Sequence, residues 1–322
     1  MIYKWAVGVL CIMASFGVYS EVGQNVDFIN APKLKVVTSF SVLADLAQKI
    51  GGQYVEVNTL VDWDEDAHVF HPSPKDIKYL SRADLLLING LGFEGWIERL
   101  VSSSKFKGQL VTTTSGVDVI THEEDGSHEH DHGHGHGHGH DNDQTLATDP
   151  HAWQSLSAVK VYVGNILNAL IELDSKHEKY YLGNAAQYLE KLDALAIETK
   201  TKMAKLSDAQ RNIVIPHNAF AYLARDYDLH VYSLKGLSSE AEASAAQIAQ
   251  VIRKIKAENI QAVFSETTAD KRLIKLVQQE TDALMGGALI SGALSRNLAP
   301  TYLDMMRYNI DTIITALSEG KR

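Results

Sequence analysis

Short apolar runs rich in β-branched residues alternate with helical patterns in two separate regions of this 322-residue chain. In the first region, runs such as Leu34–Phe40 and Val55–Val61 are separated by segments with apolar residues at every third or fourth position. The alternation returns later, from Ile213–Pro216 to Leu284–Ile290. Strands that alternate with helices form parallel sheets with helices on both faces. The sequence therefore predicts an α/β protein with two such lobes.

A long helical pattern lies between the two regions. Residues 184–206 contain no glycine or proline, which predicts one rigid helix. The resulting division is an N-terminal lobe over 21–183, a connecting helix over 184–206 and a C-terminal lobe over 207–322. In open α/β sheets, ligands bind beyond the carboxyl ends of the strands. We therefore expect the binding site in the cleft between the lobes.

The first twenty residues are typical of a cleavable secretory signal peptide. Lys4 is their only charged residue, and an apolar run extends from Trp5 to Val18. Val18 and Ser20 fit the preference of signal peptidase for small residues. We therefore expect removal of residues 1–20 and a periplasmic location, with a membrane anchor as the alternative.

The single cysteine, Cys11, lies within this predicted signal peptide. Leu10 precedes it where lipidated cysteines have glycine or alanine, so we expect no lipidation. The mature chain then has no thiolate to offer a metal, which leaves imidazole and carboxylate ligands. Removal of residues 1–20 leaves 29 basic and 40 acidic residues, a net charge of −11. This acidic balance argues against nucleic acid as a partner.

Three histidines follow predicted strands or their loops, on the side where a ligand would bind. His68 lies in the loop after the second strand, His151 lies where a later loop returns to a helix, and His217 directly follows a strand. A neutral imidazole is a good ligand for Zn²⁺, at about 2.0–2.1 Å. A single histidine near a strand end is more often a surface or hydrogen-bonded residue. Position alone therefore does not establish that the three converge.

Five motifs are distributed in order over nearly the whole mature chain. They are Val37-Thr-Ser-Phe-Ser-Val-Leu-Ala-Asp, Asp66-Ala-His-Val-Phe, Asp149-Pro-His-Ala-Trp, Pro216-His-Asn-Ala-Phe-Ala-Tyr-Leu and Thr301-Tyr-Leu-Asp-Met-Met-Arg-Tyr-Asn. Together they resemble the metal-binding substrate-binding proteins of ABC transporters for zinc and manganese, in particular the zinc type with a histidine-rich loop. The resemblance implies two lobes joined by a rigid helix, with His68, His151 and His217 as metal ligands.

One position departs from the pattern of this family. Many members carry an aspartate in a Tyr-Ser-Asp-Ala motif, whereas the matching run here is Ile290-Ser-Gly-Ala-Leu, with Gly292 at the place of the carboxylate. The fourth ligand is then water, a nearby carboxylate such as Asp66, or a histidine of the loop, and we favour water. Three imidazoles with one open position suit Zn²⁺, whereas Mn²⁺ prefers more carboxylate oxygen. Glu266, after a later strand, is a candidate hydrogen-bond acceptor for a ligand imidazole.

A histidine-rich stretch interrupts the alternation of strands and helices. It has almost no apolar residues to bury, so we predict a disordered loop over 118–147. Such a segment recruits or senses Zn²⁺ and binds additional ions weakly, and a passive solvated linker is the alternative. The candidate accessory ligands are His122, His128, His130, His132, His134, His136, His138 and His140. We expect His71, outside this loop, to point to solvent.

The predicted function is high-affinity capture of one Zn²⁺ in the periplasm and its delivery to the membrane permease of an ABC zinc importer. We expect a monomer, with a periplasmic zinc chaperone as a second candidate partner. We expect no enzymatic activity, because the sequence contains no nucleophile elbow and no glycine-rich phosphate loop. The alternatives are a periplasmic zinc chaperone or buffer without a transporter, and a zinc hydrolase in which the metal activates water.

Overall fold

The structure is a computed structural model that describes residues 32–123, 146–240, 242–268 and 270–319. The predicted signal peptide and seven of the eight loop histidines lie outside these residues. The elements of the first lobe are β1 Leu34–Phe40, α1 Ser41–Gly51, β2 Val55–Val61, α2 Pro74–Leu80, β3 Leu85–Ile88, α3 Ile97–Ser104 and β4 Gln109–Thr112. The four strands form a parallel sheet in the order β2-β1-β3-β4.

The central strand β1 and the helix that follows it anchor the first lobe. The residues of β1 from Val36 to Phe40 are buried, because β1 has a neighbouring strand on each side and a helix against its face. Helix α1 is followed by Gly52, whose φ of 56° lies in the left-handed region that favours glycine. A Cβ at Gly52 would also lie 2.3 Å from the hydroxyl of Tyr180. This turn therefore requires glycine.

The ends of the histidine-rich stretch form a small hairpin. Strands β5 Thr121–Glu123 and β6 Leu146–Thr148 pair antiparallel. The prediction of a disordered loop over 118–147 is therefore wrong at both ends, and residues 124–145 lie outside the described part. The physical reason is a set of hydrogen bonds to backbone groups at the base of the hairpin. The amide of Asp149 donates to the carbonyl of Ile120 at 2.8 Å, and the Tyr222 hydroxyl donates to the carbonyl of Asp149 at 2.8 Å.

Two long helices follow the hairpin, α4 Leu156–Leu173 and α5 Glu178–Met203. Helix α4 has the length and apolar composition of a membrane span, but it packs on α1 and α5 as a core helix. Helix α5 is the predicted connection, since it contacts α1 in the first lobe and packs against the last helix of the chain. Helix α5 begins six residues before the predicted start at 184. Burial of Tyr181 and Ala185 offsets the cost of about 1 kcal/mol of placing Gly183 inside a helix.

The second lobe repeats the architecture of the first. Its elements are β7 Asn212–His217, α6 Ala221–Tyr227, β8 His230–Lys235, α7 Ala245–Glu258, β9 Ala262–Glu266, α8 Arg272–Glu280, β10 Leu284–Leu289 and α9 Tyr302–Glu319. Its parallel sheet has the order β10-β9-β7-β8. The predicted helix over 240–257 starts later, because Ser244 caps α7 by accepting a hydrogen bond from the amide of Gln247.

One apolar core extends through both lobes, a second and smaller cluster lies within the C-terminal lobe, and buried hydrogen bonds join the lobes on one side of the cleft. The indole Nε1 of Trp153 donates to the carbonyl of Ser291 at 2.8 Å. The hydroxyl of Tyr302 donates to the carbonyl of Trp153 at 2.8 Å, and its amide donates to Asp45 at 2.9 Å. The fold is therefore the predicted one, with two parallel sheets flanked by helices and a long connecting helix.

Candidate metal site

The three predicted histidines lie together in the cleft between the lobes. One ring nitrogen of each lies within 4.8 Å of the other two, for His68, His151 and His217. The Nε2 atoms of His68 and His151 are 3.3 Å apart. Two nitrogens that bind a tetrahedral zinc at about 2.05 Å are separated by about 3.3 Å. The spacing of this pair therefore fits a shared metal ion.

Each histidine is placed by the end of a different element. His68 lies in a 3-10 turn, Ala67–Val69, in the loop after β2. His151 immediately precedes the 3-10 turn Ala152–Gln154 that leads into α4. His217 is the last residue of β7. Packing of the two lobes brings these loop and strand ends to one point, the place where open α/β sheets bind ligands.

Buried carboxylates hold two of the rings in place. Nδ1 of His151 lies 2.8 Å from Oδ1 of Asp149, and Nδ1 of His217 lies 2.8 Å from Oε1 of Glu266. The sequence predicted a role as acceptor for Glu266, and the structure places it there. These contacts favour a proton on Nδ1, which leaves the Nε2 lone pair free to bind a metal. Nε2 of His217 is buried and has no hydrogen-bond partner in the described part of the chain.

The histidines of the N-terminal lobe are held in the neutral form. Burial lowers the pKa of His68 to about 4, and the nearby ring of His151 adds to the effect. Burial also lowers the pKa of His151, despite its hydrogen bond to Asp149. Burial alone would raise the pKa of Asp149, but hydrogen bonds with His122 and His151 outweigh it and lower the pKa to about 2. At neutral pH these two imidazoles are therefore neutral and lie beside an ionised carboxylate, the forms that bind a cation.

Neither Asp66 nor position 292 supplies a fourth side chain to the cluster in the described residues. Asp66 has a donor on each oxygen, because Oδ1 accepts from the amide of His68 at 2.9 Å and Oδ2 accepts from Ser239 at 2.7 Å. The cluster of candidate ligands in the described residues comprises the three histidines and does not include Asp66. A Cβ at Gly292 would meet no atom within 4 Å, so this position leaves open space.

His122 is the one loop histidine within the described residues, and it lies beside the cluster. Its Nε2 is 3.3 Å from Oδ2 of Asp149 and 3.4 Å from the side-chain amide of Asn218. The other loop candidates lie outside the described part: His128, His130, His132, His134, His136, His138 and His140. His71 is exposed, as expected, and is not in the cluster.

The sequence reasoning did not assign a role to Asp149. A signal for it is present, because an aspartate stands two residues before a histidine in both Asp66-Ala-His68 and Asp149-Pro-His151. In each case the carboxylate accepts a hydrogen bond from the backbone amide of that histidine. Asp149 reaches the ring of its histidine as well, whereas Asp66 reaches across to the other lobe.

Comparison with known proteins identifies the family of this chain. Residues 36–316 match the family described as ZnuA, zinc-uptake complex component A, periplasmic. The chain is 30% identical over 319 residues to the manganese-binding lipoprotein MntA of Halalkalibacterium halodurans, with 98% of each chain covered. It is 34% identical over 296 residues to the iron-binding protein YfeA of Yersinia pestis, with 91% of this chain and 89% of that protein covered.

A solved structure supports the same assignment. The periplasmic zinc-binding protein TroA from Treponema pallidum superimposes with a TM-score of 0.78 at 25% identity, covering 89% of this chain and 99% of that chain. The match to the family model spans most of the chain and includes all three histidines. The family consists of transporter components that bind a substrate, which agrees with the prediction that this chain is not an enzyme. The chain therefore belongs to the ZnuA family, the exported metal-binding components of ABC metal importers.

Proposed function

We propose that this protein captures Zn²⁺ in the periplasm and delivers it to the membrane permease of an ABC zinc importer. In this proposal His68, His151 and His217 bind the ion through Nε2. The observation that carries it is the convergence of these three side chains in the cleft. Nε2 of His217, which is buried and has no hydrogen-bond partner among the described residues, supports it further, because an unsatisfied polar atom in a protein interior is costly unless a ligand completes it.

The donor set favours zinc over manganese. Imidazole suits Zn²⁺, whereas Mn²⁺ prefers carboxylate and water oxygens. The cluster in the described residues contains three imidazoles and no carboxylate. Manganese is the second candidate, since the relatives named above include proteins that bind manganese and iron as well as zinc. We therefore base the choice of zinc on the chemistry of the ligands.

The fourth position is best explained by a water molecule. Gly292 supplies no side chain and leaves open space, and both oxygens of Asp66 already have donors. Zn²⁺ with three protein ligands commonly binds water at the fourth position of its tetrahedron. The ionised carboxylate of Asp149 then compensates part of the charge of the ion through His151.

The proposal also covers the export of the protein, the source of the metal and its acceptor. Residues 1–20 are removed on export, and the mature chain works as a monomer. The loop histidines recruit Zn²⁺ weakly before it enters the cleft, and His122 contacts Asp149 beside the site. A periplasmic zinc chaperone is a second source of metal, and the permease of the importer is the acceptor.

Competition titration against a calibrated chelator tests the choice of metal. The mature protein is titrated with Zn²⁺ and with Mn²⁺, in parallel with His151→Ala, His217→Ala and the matched control His230→Ala, whose ring is exposed on β8. We expect Zn²⁺ to bind at least about a hundredfold more tightly than Mn²⁺, and only the cleft variants to lose this tight binding. Tighter binding of Mn²⁺ than of Zn²⁺ would support the manganese alternative instead.

A further inference from the structure

The loop that carries His68 is held from both lobes. On the side of the N-terminal lobe, Nε1 of Trp96 donates to the carbonyl of Ala67 at 3.1 Å. From the C-terminal lobe, Oγ of Ser239 donates to Oδ2 of Asp66 at 2.7 Å. The other oxygen of that carboxylate accepts from the amide of His68 at 2.9 Å. One carboxylate therefore links the backbone of His68 to the opposite lobe.

Ser239 is also connected to the third histidine, His217, through Lys235. Its carbonyl accepts a hydrogen bond from Nζ of Lys235 at 3.0 Å. Lys235 is the last residue of β8, and in the sheet it pairs with His217 at the end of β7. A continuous path of hydrogen bonds and strand pairing therefore joins His68 in one lobe to His217 in the other.

A second path joins the lobes on the other side of the site, and it is more deeply buried. Trp153 donates to the carbonyl of Ser291, whose hydroxyl donates to Oε2 of Glu266 at 2.5 Å, and Glu266 holds His217. These residues are all buried, whereas the contact between Asp66 and Ser239 is only partly buried. Water competes for a partly buried hydrogen bond, so this contact is the weaker of the two.

We propose that Ser239 is a positioning residue that, through Asp66, holds His68 within reach of the metal and slows release of the ion. The proposal rests on the proposed role of His68 as a ligand. Ser239 has no contact with the metal-binding nitrogens; it fixes the carboxylate that fixes the backbone of His68. When this hydrogen bond is lost, the amide of His68 loses its link through Asp66 to the C-terminal lobe. The same loop still contacts that lobe at Asp64, whose amide donates to the carbonyl of Leu294 at 2.8 Å, but this contact lies four positions before His68, which then leaves the ion more often.

The rate of zinc release is the measurement that tests this role. The full mature protein, loaded with one equivalent of Zn²⁺, is mixed with excess chelator, and release is followed in a stopped-flow instrument. We expect Ser239→Ala to release zinc about threefold to tenfold faster, at the low end of the effects of residues that support a metal ligand. Ser239→Thr keeps the hydroxyl and should retain the slow rate. Ser238→Ala, a change at the neighbouring half-buried serine, is the matched control.

A double-mutant cycle separates positioning through Asp66 from a general effect on the fold. Ser239→Ala should have no further effect on the release rate in the background of Asp66→Ala, because the partner is already gone. Additive effects, or an unchanged rate in Ser239→Ala alone, would overturn the proposal. His68→Ala is measured beside these variants. If it binds zinc as tightly as the wild type, both this proposal and the ligand assignment fail, whereas a weak His68→Ala with an unchanged Ser239→Ala overturns the positioning role alone.

Discussion

The carboxylate of Asp149 lies 2.8 Å from Nδ1 of His151, and both residues are fully buried. A buried imidazole that donates to a carboxylate is fixed in one tautomer and becomes a stronger ligand through its other nitrogen. The low pKa of Asp149, about 2, means that this carboxylate stays ionised in the pH range where the imidazole binds metal. In the proposed site, the pair thus prepares Nε2 of His151 for the ion before the ion arrives.

Replacing Asp149 by asparagine should weaken the cleft without removing a ligand. The substitution Asp149→Asn keeps the size of the side chain but removes its charge, so we expect zinc affinity to fall by about tenfold to a hundredfold. Competition titration measures this change. Asp118→Asn, at an exposed aspartate, is the control and should leave the affinity unchanged. An equal affinity in both variants would mean that Asp149 does not support His151.

The space beside Gly292 offers a test of selectivity. A Cβ there meets no atom within 4 Å, so Gly292→Asp should fold and bring a carboxylate to the place where many family members have one. Because Mn²⁺ prefers oxygen ligands, we expect this variant to bind Mn²⁺ at least about tenfold more tightly than the wild type. Gly292→Ala is the matched control and should leave Mn²⁺ binding as it was. Isothermal titration calorimetry measures the Mn²⁺ affinity of both variants. Equal affinities would show that position 292 does not reach the ion.

The stability of the metal-free protein should depend on the protonation of His68. Its pKa is about 4 in the folded protein, below the ordinary value of 6.5. Between these values the unfolded chain binds a proton that the folded chain does not. The contribution of neutral His68 to the free energy of unfolding is therefore fully present above pH 6.5 and is lost as the pH falls towards 4. Urea unfolding at a series of pH values should show that the free energy of unfolding falls less in His68→Gln than in the wild type as the pH is lowered. The same fall in both proteins would contradict this account.

Much of the fold follows from local pattern. Strand β1 has the bounds predicted from its apolar, β-branched run, Leu34–Phe40, and helix α1 ends at the predicted glycines. The start of α7 is harder to predict, because the residues before Ser244 are also compatible with a helix and only the capping box at Ser244 marks the first turn. The hairpin at Thr121–Glu123 and Leu146–Thr148 was missed because its strands are short and border a polar, glycine-rich segment.

The three histidines could be selected as candidates from the sequence, but their convergence could not be predicted from local pattern. His68 and His151 are 83 positions apart, and their 3.3 Å contact depends on the packing of loops within the N-terminal lobe. The approach of His217 to both depends on the packing of one lobe on the other. Local sequence carries no information on that packing, so the family resemblance supplied the set of ligands. The link between Asp66 and Ser239 spans 173 positions and was not predicted for the same reason.

Shortening the histidine-rich stretch should separate its role from that of the cleft. Glu123 and Leu146 pair across the hairpin, so residues 124–145 can be replaced by an Asn-Gly turn that joins the two strands. We expect the affinity of the cleft to stay within about threefold, because its three proposed ligands lie outside the replaced segment, and we expect fewer additional weak zinc ions. Competition titration and elemental analysis measure the two quantities. A loss of tenfold or more in cleft affinity, the scale of removing a group that supports a metal, would identify a loop histidine as the fourth ligand.

The central claim is that three histidines, one from each of three loop or strand ends, bind a single Zn²⁺. Zinc K-edge X-ray absorption of the mature protein with one equivalent of zinc tests it most directly. The account predicts scattering from three imidazoles with nitrogen at about 2.0 Å and one further light ligand, and the loss of one imidazole in His217→Ala. A first shell made mainly of oxygen, or a spectrum unchanged in His217→Ala, would contradict it.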